Sequence, residues 1–467
     1  MSATIKVDFA KKTGKQVQQL HGFNSGPMTK VFTYDARPLF VEGGFPFVRL
    51  HDSEYPYGSG EFIDIPCIFK NFDADENDPA SYNFGNTDEY IRQCLNVGSR
   101  IIYRLGVSIE HSPVKRYTAP PKDFAKWARI CEHIIRHYNE GWADGYHWNI
   151  EYWEIWNEPD LDRDTNNKRC WGGTATEFAE LYTVAARHLK GCFPHLKIGG
   201  CGFSGARNEF IEDFFKDISA RTPRVPMDFY TWHRYKDMVS AYPEGAATAR
   251  ELLTAFGYGE AESILDEWNL VYGWDRDNQA ESYRAMKDQR GASFYAGVLC
   301  ALQEHSDICI ATQFEADVVK EFCGVFNVKN MCIGGFLANG GRGRFAELEP
   351  TKGFYAFKAF NLLYRMQNSV TLSCDNAAVF ATAAAGDAGN GVLVSNQSGE
   401  QTDAVLELSG VRGEIVVRMT DATHTNEVLM QLSAGEGIKL TLPMAPDSFA
   451  YVGTDLPDPI PTYEVNI

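Results

Sequence analysis

The stretch Glu151-Tyr-Trp-Glu-Ile-Trp-Asn-Glu-Pro-Asp160 decides how the rest of the chain is read. Its first half has the aromatic and β-branched composition that suits a pleated, half-buried strand. Pro159 then ends the ladder and restricts the backbone of Glu158 before it. Asn157-Glu158-Pro159 thus sets a carboxyl group at a strand's C-terminal end, the face of a barrel where chemistry is done. An ordinary turn explains the same tripeptide, which arises by chance in roughly one chain in fifteen of this size. The partner is Ser263-Ile-Leu-Asp-Glu-Trp-Asn269, a second apolar strand that delivers Glu267 near its end. Two glutamates on two strand ends are what retaining cleavage of a glycosidic bond requires.

The chain has 467 residues, 44% of them hydrophobic. A barrel uses about 250 residues plus insertions, so roughly a hundred should form something else. The net charge of −18 argues against nucleic acid and strongly anionic polymers as partners. Aromatics reach 13%, which fits a large aromatic core and, for the remainder, a carbohydrate cleft. Eleven cysteines lie scattered with no Cys-x-x-Cys pair, so neither a metal site nor a disulfide framework is expected. No basic and apolar leader opens the chain, and no window approaches a membrane span. The expectation is a soluble, cytoplasmic protein without a cofactor, with homo-oligomerisation left open.

Working outward, strand and helix alternate. Residues 4–9 form an isolated strand expected to join a C-terminal β region. Barrel strands are expected at Leu20–Ser25, Gly44–His51, Arg100–Val107, the Asn-Glu-Pro stretch, Lys197–Phe203, Asp228–Tyr235, the Glu267 strand and Asp307–Phe314. Helices are expected over 87–97, from Pro120 to Tyr138, from Thr174 to Lys190, Asn208 to Ser219, Gly245 to Phe256, Glu281 to His305 and Thr351 to Met366. Thr174 with Glu177 reads as a capping box. Eight such units predict a parallel (β/α)8 barrel. From Val370 to Val452, short alternating runs predict an antiparallel β-sandwich. The expected organisation is a strand at 1–15 joining the sandwich, the barrel at 16–367 and the sandwich at 368–467.

Two long loops interrupt the alternation. The insertion at about 53–86 carries Phe72-Asp-Ala-Asp-Glu-Asn-Asp-Pro79, whose acidic residues are out of register with an EF-hand, so a surface loop is favoured over a metal site. The loop at about 317–350 carries Gly334-Gly and Asn339-Gly-Gly-Arg-Gly-Arg344, without the spacing of a phosphate loop.

Retaining cleavage needs one carboxyl group as acid then base and a second as nucleophile. Glu158 fits the acid/base, with the Asn157 amide beside it for a sugar hydroxyl. Glu267 fits the nucleophile, held ionised by donors among Arg49, His233 and Tyr235. His51 and Asp52 end the second strand, and Glu315 follows the eighth and could line the pocket. Glu151 and Glu154 lie too early on their strand and read as structural. Asp266 should face away from Glu267, since adjacent strand residues point to opposite faces.

Val48-Arg-Leu-His-Asp52, the Trp-Asn-Glu-Pro-Asp stretch, Trp232-His-Arg-Tyr235, Leu265-Asp-Glu-Trp-Asn269 and Gly353-Phe-Tyr-Ala-Phe-Lys together resemble glycoside hydrolase family 39, the β-xylosidase and α-L-iduronidase family. The resemblance implies Glu158 as acid/base, Glu267 as nucleophile, no cofactor or metal, and Tyr235 as support for the nucleophile. It implies a small oligosaccharide or glycoside as substrate, a β-xyloside first. An arabinose-containing oligosaccharide, a β-glucoside or galactoside, and an α-L-iduronide are the alternatives within the family. A non-catalytic carbohydrate-binding barrel is the alternative outside it. The second strand departs from the family's β-xylosidases, which tend to carry a longer His- and Gly-rich run there.

Overall fold

The computed structural model describes residues 1–27, 34–51, 62–163, 165–318, 320–330, 347–433, 435 and 437–459. Strand β1 (Ser2–Gln16) precedes a closed barrel of parallel strands in chain order. These are β2 (Gln19–Asn24), β3 (Phe47–Leu50), β4 (Arg100–Leu105), β5 (Tyr152–Ile155), β6 (Lys197–Phe203), β7 (Phe229–Tyr235), β8 (Glu262–Asn269) and β9 (Ile308–Gln313). The connecting helices are α1 (Arg37–Gly43), α2 (Ile65–Ile68), α3 (Gly85–Asn96), α4 (Phe124–Glu140), α5 (Ala175–Cys192), α6 (Glu209–Ala220), α7 (Ala241–Ala255), α8 (Arg276–Ala285) and α9 (Gln289–His305). A two-stranded ribbon, β10 (Phe326–Asn330) and β11 (Glu347–Pro350), leads into α10 (Lys352–Met366). No helix among the described residues is long and apolar enough to cross a membrane.

Local signals place most boundaries. The Thr174 capping box is formed, with its hydroxyl and the Glu177 carboxylate exchanging bonds across the first turn of α5. Helix α4 starts later than Pro120, because the Asp123 side chain accepts from Lys126 N and caps it there. The helix expected over 281–305 is two helices, since Asp288 caps a fresh start at Gln289. The acidic run after β3 lies along α4, where Glu76 pairs with Arg129 at 2.7 Å and Lys126 at 3.2 Å. Asp52, the first part of that insertion (52–61) and the glycine-rich 331–346 lie outside the described residues.

The C-terminal region continues with β12 (Asn368–Cys374), β13 (Val379–Gly386), β14 (Gly389–Asn396), β15 (Thr402–Ser409), β16 (Glu414–Thr420), β17 (Glu427–Ser433), β18 (Gly437–Met444) and β19 (Ser448–Gly453). With β1 they form a nine-stranded sheet, ordered β17-β16-β19-β14-β13-β12-β1-β15-β18. The expected wholly antiparallel arrangement is corrected in one place: β1 runs antiparallel to β12 but parallel to β15. The N-terminal strand comes from across the barrel, so no hairpin dictates its direction. Alternation gives the sheet two buried faces. Val379, Ala381 and Ala383 meet Ile5, Val7 and Leu406 in the sheet's own core. Ala384, Leu393 and Tyr451 face the barrel side, where α9 and α10 pack against β13 and β14.

Inside the barrel the same period of two builds layers. Phe47, Ile102, Tyr152, Phe229, Ile264 and Ile310 form one apolar cluster near the strand starts. Two residues further along those strands stand Arg49, Arg104, Glu154, Thr231, Asp266 and Thr312, all fully buried. An apolar floor thus carries an ionic layer, and the site sits on that layer at the strands' C-terminal ends.

Candidate active site

Beyond Ile155 the chain leaves β5 through two left-handed residues, Trp156 (φ 75°) and Glu158 (φ 44°). Such a conformation costs a non-glycine residue about 1–3 kcal/mol. It is held by Trp156 N donating to Leu105 O at 2.6 Å and Glu158 N donating to Gly202 O at 2.8 Å. The strain turns the Glu158 carboxyl into the barrel mouth, where its Oε1 lies 2.9 Å from His233 Nδ1. The same nitrogen is 3.3 Å from Glu267 Oε2. One ligand atom from each of Glu158, His233 and Glu267 lies within 4.8 Å of the others.

Glu267 is filled with donors on both oxygens. Arg49 Nη1 donates to Oε1 at 2.8 Å and the Tyr235 hydroxyl to Oε2 at 2.7 Å. Burial pushes its carboxyl up to about 7, against the pull of His233 and Arg49. His51 Nε2 stands 3.5 Å from Oε1, and burial with the Arg49 charge holds that imidazole well below its ordinary value, hence neutral. His233 goes the other way: burial alone would lower it, but Glu267 and Asp266 outweigh burial and make it a cation.

Arg49 organises the layer below. Its Nε donates to Glu154 Oε2 at 2.7 Å, Nη1 also reaches Asn24 Oδ1 at 3.1 Å, and Nη2 donates to Asn157 Oδ1 at 2.8 Å. The planar fork donates to four groups at once, which a lysine could not do. Space for it comes from Gly202 (φ 56°), where a Cβ would lie 2.8 Å from Arg49 Nη2. The oxygen of Asn157 is therefore occupied, while its buried Nδ2 has no partner among the described residues and is free to donate to a ligand.

The residues expected at the site come together: Arg49, His51, Asn157, Glu158, His233, Tyr235 and Glu267 around the mouth, and Glu315 beside it, accepting from Ser25 Oγ at 2.7 Å. The expectation for Asp266 is corrected. Alternation from Ile264 points Asp266 inward, and the β7–β8 pairing slips between Trp232/Leu265 and His233/Glu267. That irregularity brings Glu267 to the mouth as well, so both residues face the interior. Glu154 is a buried structural partner, as expected, whereas Glu151 pairs with Arg100 at the other end of the barrel. Asn24, Thr231 and Gly202 were not singled out by the sequence. Extending the period of two from the floor residues would have found Thr231.

Above the carboxyl groups opens a cavity of about 900 Å³, lined among others by Glu158, Tyr235, Glu267, Trp274, Phe314 and Glu315. Trp274 is 58% exposed at its rim, edge-on to Tyr235 with ring centroids 5.5 Å apart. Two opposed carboxyl groups under an aromatic-edged cleft can protonate a leaving oxygen from one side and attack carbon from the other.

Comparison with known proteins agrees with this architecture. Over 205 residues, 41% of the chain, it is 29% identical to a β-xylosidase of Geobacillus stearothermophilus, and the matched stretch covers 36% of that relative's length. The fold is shared with a glucosidase from Croceicoccus marinus, at 21% identity and TM-score 0.75, covering 97% of this chain and 99% of the other. It is shared also with a family 39 β-xylosidase from Caulobacter crescentus, at 16% identity and TM-score 0.65, covering 97% and 100%. The chain belongs to the glycosyl hydrolases family 39, whose sequence profile matches it over residues 42–311.

Proposed function

We propose that this protein is a retaining glycoside hydrolase that works by double displacement, with β-xylosides as its first substrate class. The observation that carries the reading is the approach of the Glu158 and Glu267 oxygens to within 4.8 Å across the cleft. Retaining enzymes hold their two carboxyl groups about 5–5.5 Å apart, and inverting ones wider to admit a water. In the first step a Glu267 oxygen attacks the anomeric carbon while Glu158 gives its proton to the departing oxygen. The C–O bond to the leaving group breaks and an ester to Glu267 forms. In the second step Glu158 takes a proton from water, whose oxygen displaces Glu267. That Asn157 Nδ2 has no partner among the described residues supports a role for it in holding a hydroxyl next to the reacting carbon. The β-xylosidase relative supports the xyloside assignment.

A panel of nitrophenyl glycosides tests this. The β-xyloside is expected to turn over fastest; a faster β-glucoside, arabinoside or iduronide would move the specificity, and no turnover of any would sink the hydrolase reading.

The nucleophile must be ionised, so activity is present above the Glu267 pKa and lost as pH falls through it. The acidic limb of kcat/KM is therefore expected near 7, well above an ordinary glutamate. Tyr235→Phe removes a donor to the ionised form, so that limb should move to higher pH, with kcat/KM at neutral pH down roughly tenfold. An acidic limb that stays in place would mean that it belongs to another group.

A further inference from the structure

The ionic layer holds more carboxyl groups than the reaction uses. Glu154 on β5 and Asp266 on β8 are both fully buried and meet at a single atom of Arg49. Nε lies 2.7 Å from Glu154 Oε2 and 2.9 Å from Asp266 Oδ2. Its one hydrogen goes to Glu154, and among the described residues neither oxygen of Asp266 has another N–H donor. The other Arg49 nitrogens serve Glu267, Asn24 and Asn157. The far oxygen of Glu154 accepts from the Thr231 hydroxyl at 2.5 Å, which itself accepts from Gly202 N at 2.6 Å. Glu154 and Asp266 thus stand against one N–H that serves only one of them. Two ionised carboxylates brought together out of water repel and neither can donate to the other, so such a pair holds one proton. One of the two carries a proton.

The charges around the pair agree. Arg49 from β3 and His233 from β7 are the cations facing it, and Glu158 and Glu267 are the further carboxyl groups. Cys201 from β6 and Tyr230 from β7 are neutral, since burial pushes both up. Arg104 in the same layer is taken by Asp64 at 2.5 Å. Four carboxylates against two cations would leave two uncompensated charges out of water, which is costly. A proton on the pair removes one of those charges.

We infer that Glu154 is a standing carboxylic acid that donates its proton to Asp266, so that the pair presents one negative charge behind His233 and positions that imidazolium against both catalytic carboxyl groups. Asp266 Oδ2 lies 3.6 Å from His233 Nε2, on the opposite side of the ring from Glu158 and Glu267. Burial favours the neutral form of Glu154 and pushes it up to about 8. Burial pulls Asp266 upward too, but Arg49 and His233 outweigh it and hold that carboxyl below its ordinary value. Asp266 is thus a positioning residue, acting through His233. This role rests on the proposed assignments of Glu158 and Glu267; the proton on Glu154 does not.

Infrared difference spectroscopy on the protein without substrate reads the proton directly. At neutral pH, the difference between wild type and Glu154→Gln is expected to contain the carbonyl band of a buried carboxylic acid, separate from any band lost in Glu158→Gln. Carboxyl ¹³C NMR of the wild-type protein gives the same reading without a substitution: the Glu154 carboxyl at the chemical shift of its acid form. Kinetics then test the positioning. In Glu154→Gln the amide N–H replaces the acid O–H toward Asp266, so kcat/KM should fall only about fivefold. Asp266→Asn removes the anion behind His233, so kcat/KM should fall roughly a hundredfold and the basic limb of its pH profile, set by loss of the His233 proton, should move to lower pH. The absence of an acid band at Glu154 would overturn the inference even in an active glycosidase. So would equal losses in the two variants with an unshifted profile. A band without glycosidase activity would leave the proton in place and remove only the role.

Discussion

Glu267→Gly is expected to lose turnover of an aryl β-xyloside by roughly 10⁵-fold, the scale seen when a nucleophile is removed from a site whose other groups stay intact. The fold should survive, because the deletion also removes a buried negative charge that Arg49, still bound to Glu154, Asn24 and Asn157, can do without. The space vacated faces the cavity. Azide entering it can attack the anomeric carbon from the side that Glu267 occupied, while Glu158 still protonates the leaving oxygen. The product should be a glycosyl azide of inverted configuration, formed in one displacement instead of two. Rescue giving the retained anomer would make Glu267 the acid/base and reverse the two assignments.

Arg49→Met is expected to destabilise the protein by about 3–5 kcal/mol, the cost of leaving buried partners of an ion pair uncompensated. The side chain is fully buried and is the common donor to Glu154 and Glu267, with Asp266 2.9 Å away. Methionine roughly fills the volume but donates nothing. The carboxyl groups must then take up protons, Glu267 among them, so activity at neutral pH should fall with stability. Urea unfolding and kcat/KM on the same preparation separate the two effects. Wild-type stability in Arg49→Met would show that the cluster is neutralised without its central cation.

The barrel and the two glutamates were legible because each is a local signal. Tyr152–Ile155 and Glu262–Asn269 are short apolar strands, and Asn-Glu-Pro and Asp-Glu-Trp-Asn close them. The layer beneath was harder to read. Glu154, Thr231 and Asp266 look like scattered polar residues in apolar runs until the strands are aligned on Phe47, Ile102, Tyr152, Phe229, Ile264 and Ile310. Asp266 was misplaced by a rule that is correct for a regular strand. The pairing slip beside it cannot be seen in one strand alone, since it is a relation between β7 and β8. The parallel β1–β15 pair was out of reach for the same reason, as register between distant segments is decided by packing. Gly202 carried a signal, three glycines in four residues of β6, but the guanidinium that needs the space lies on another strand.

The anomer first formed on hydrolysis tests the central claim most directly. Proton NMR should follow, in heavy water, whichever aryl glycoside the protein cleaves fastest, before the free sugar mutarotates. The retained anomer is expected to appear first, with the other growing only by mutarotation. First appearance of the inverted anomer would mean a single displacement by water, and Glu267 could not then be the nucleophile.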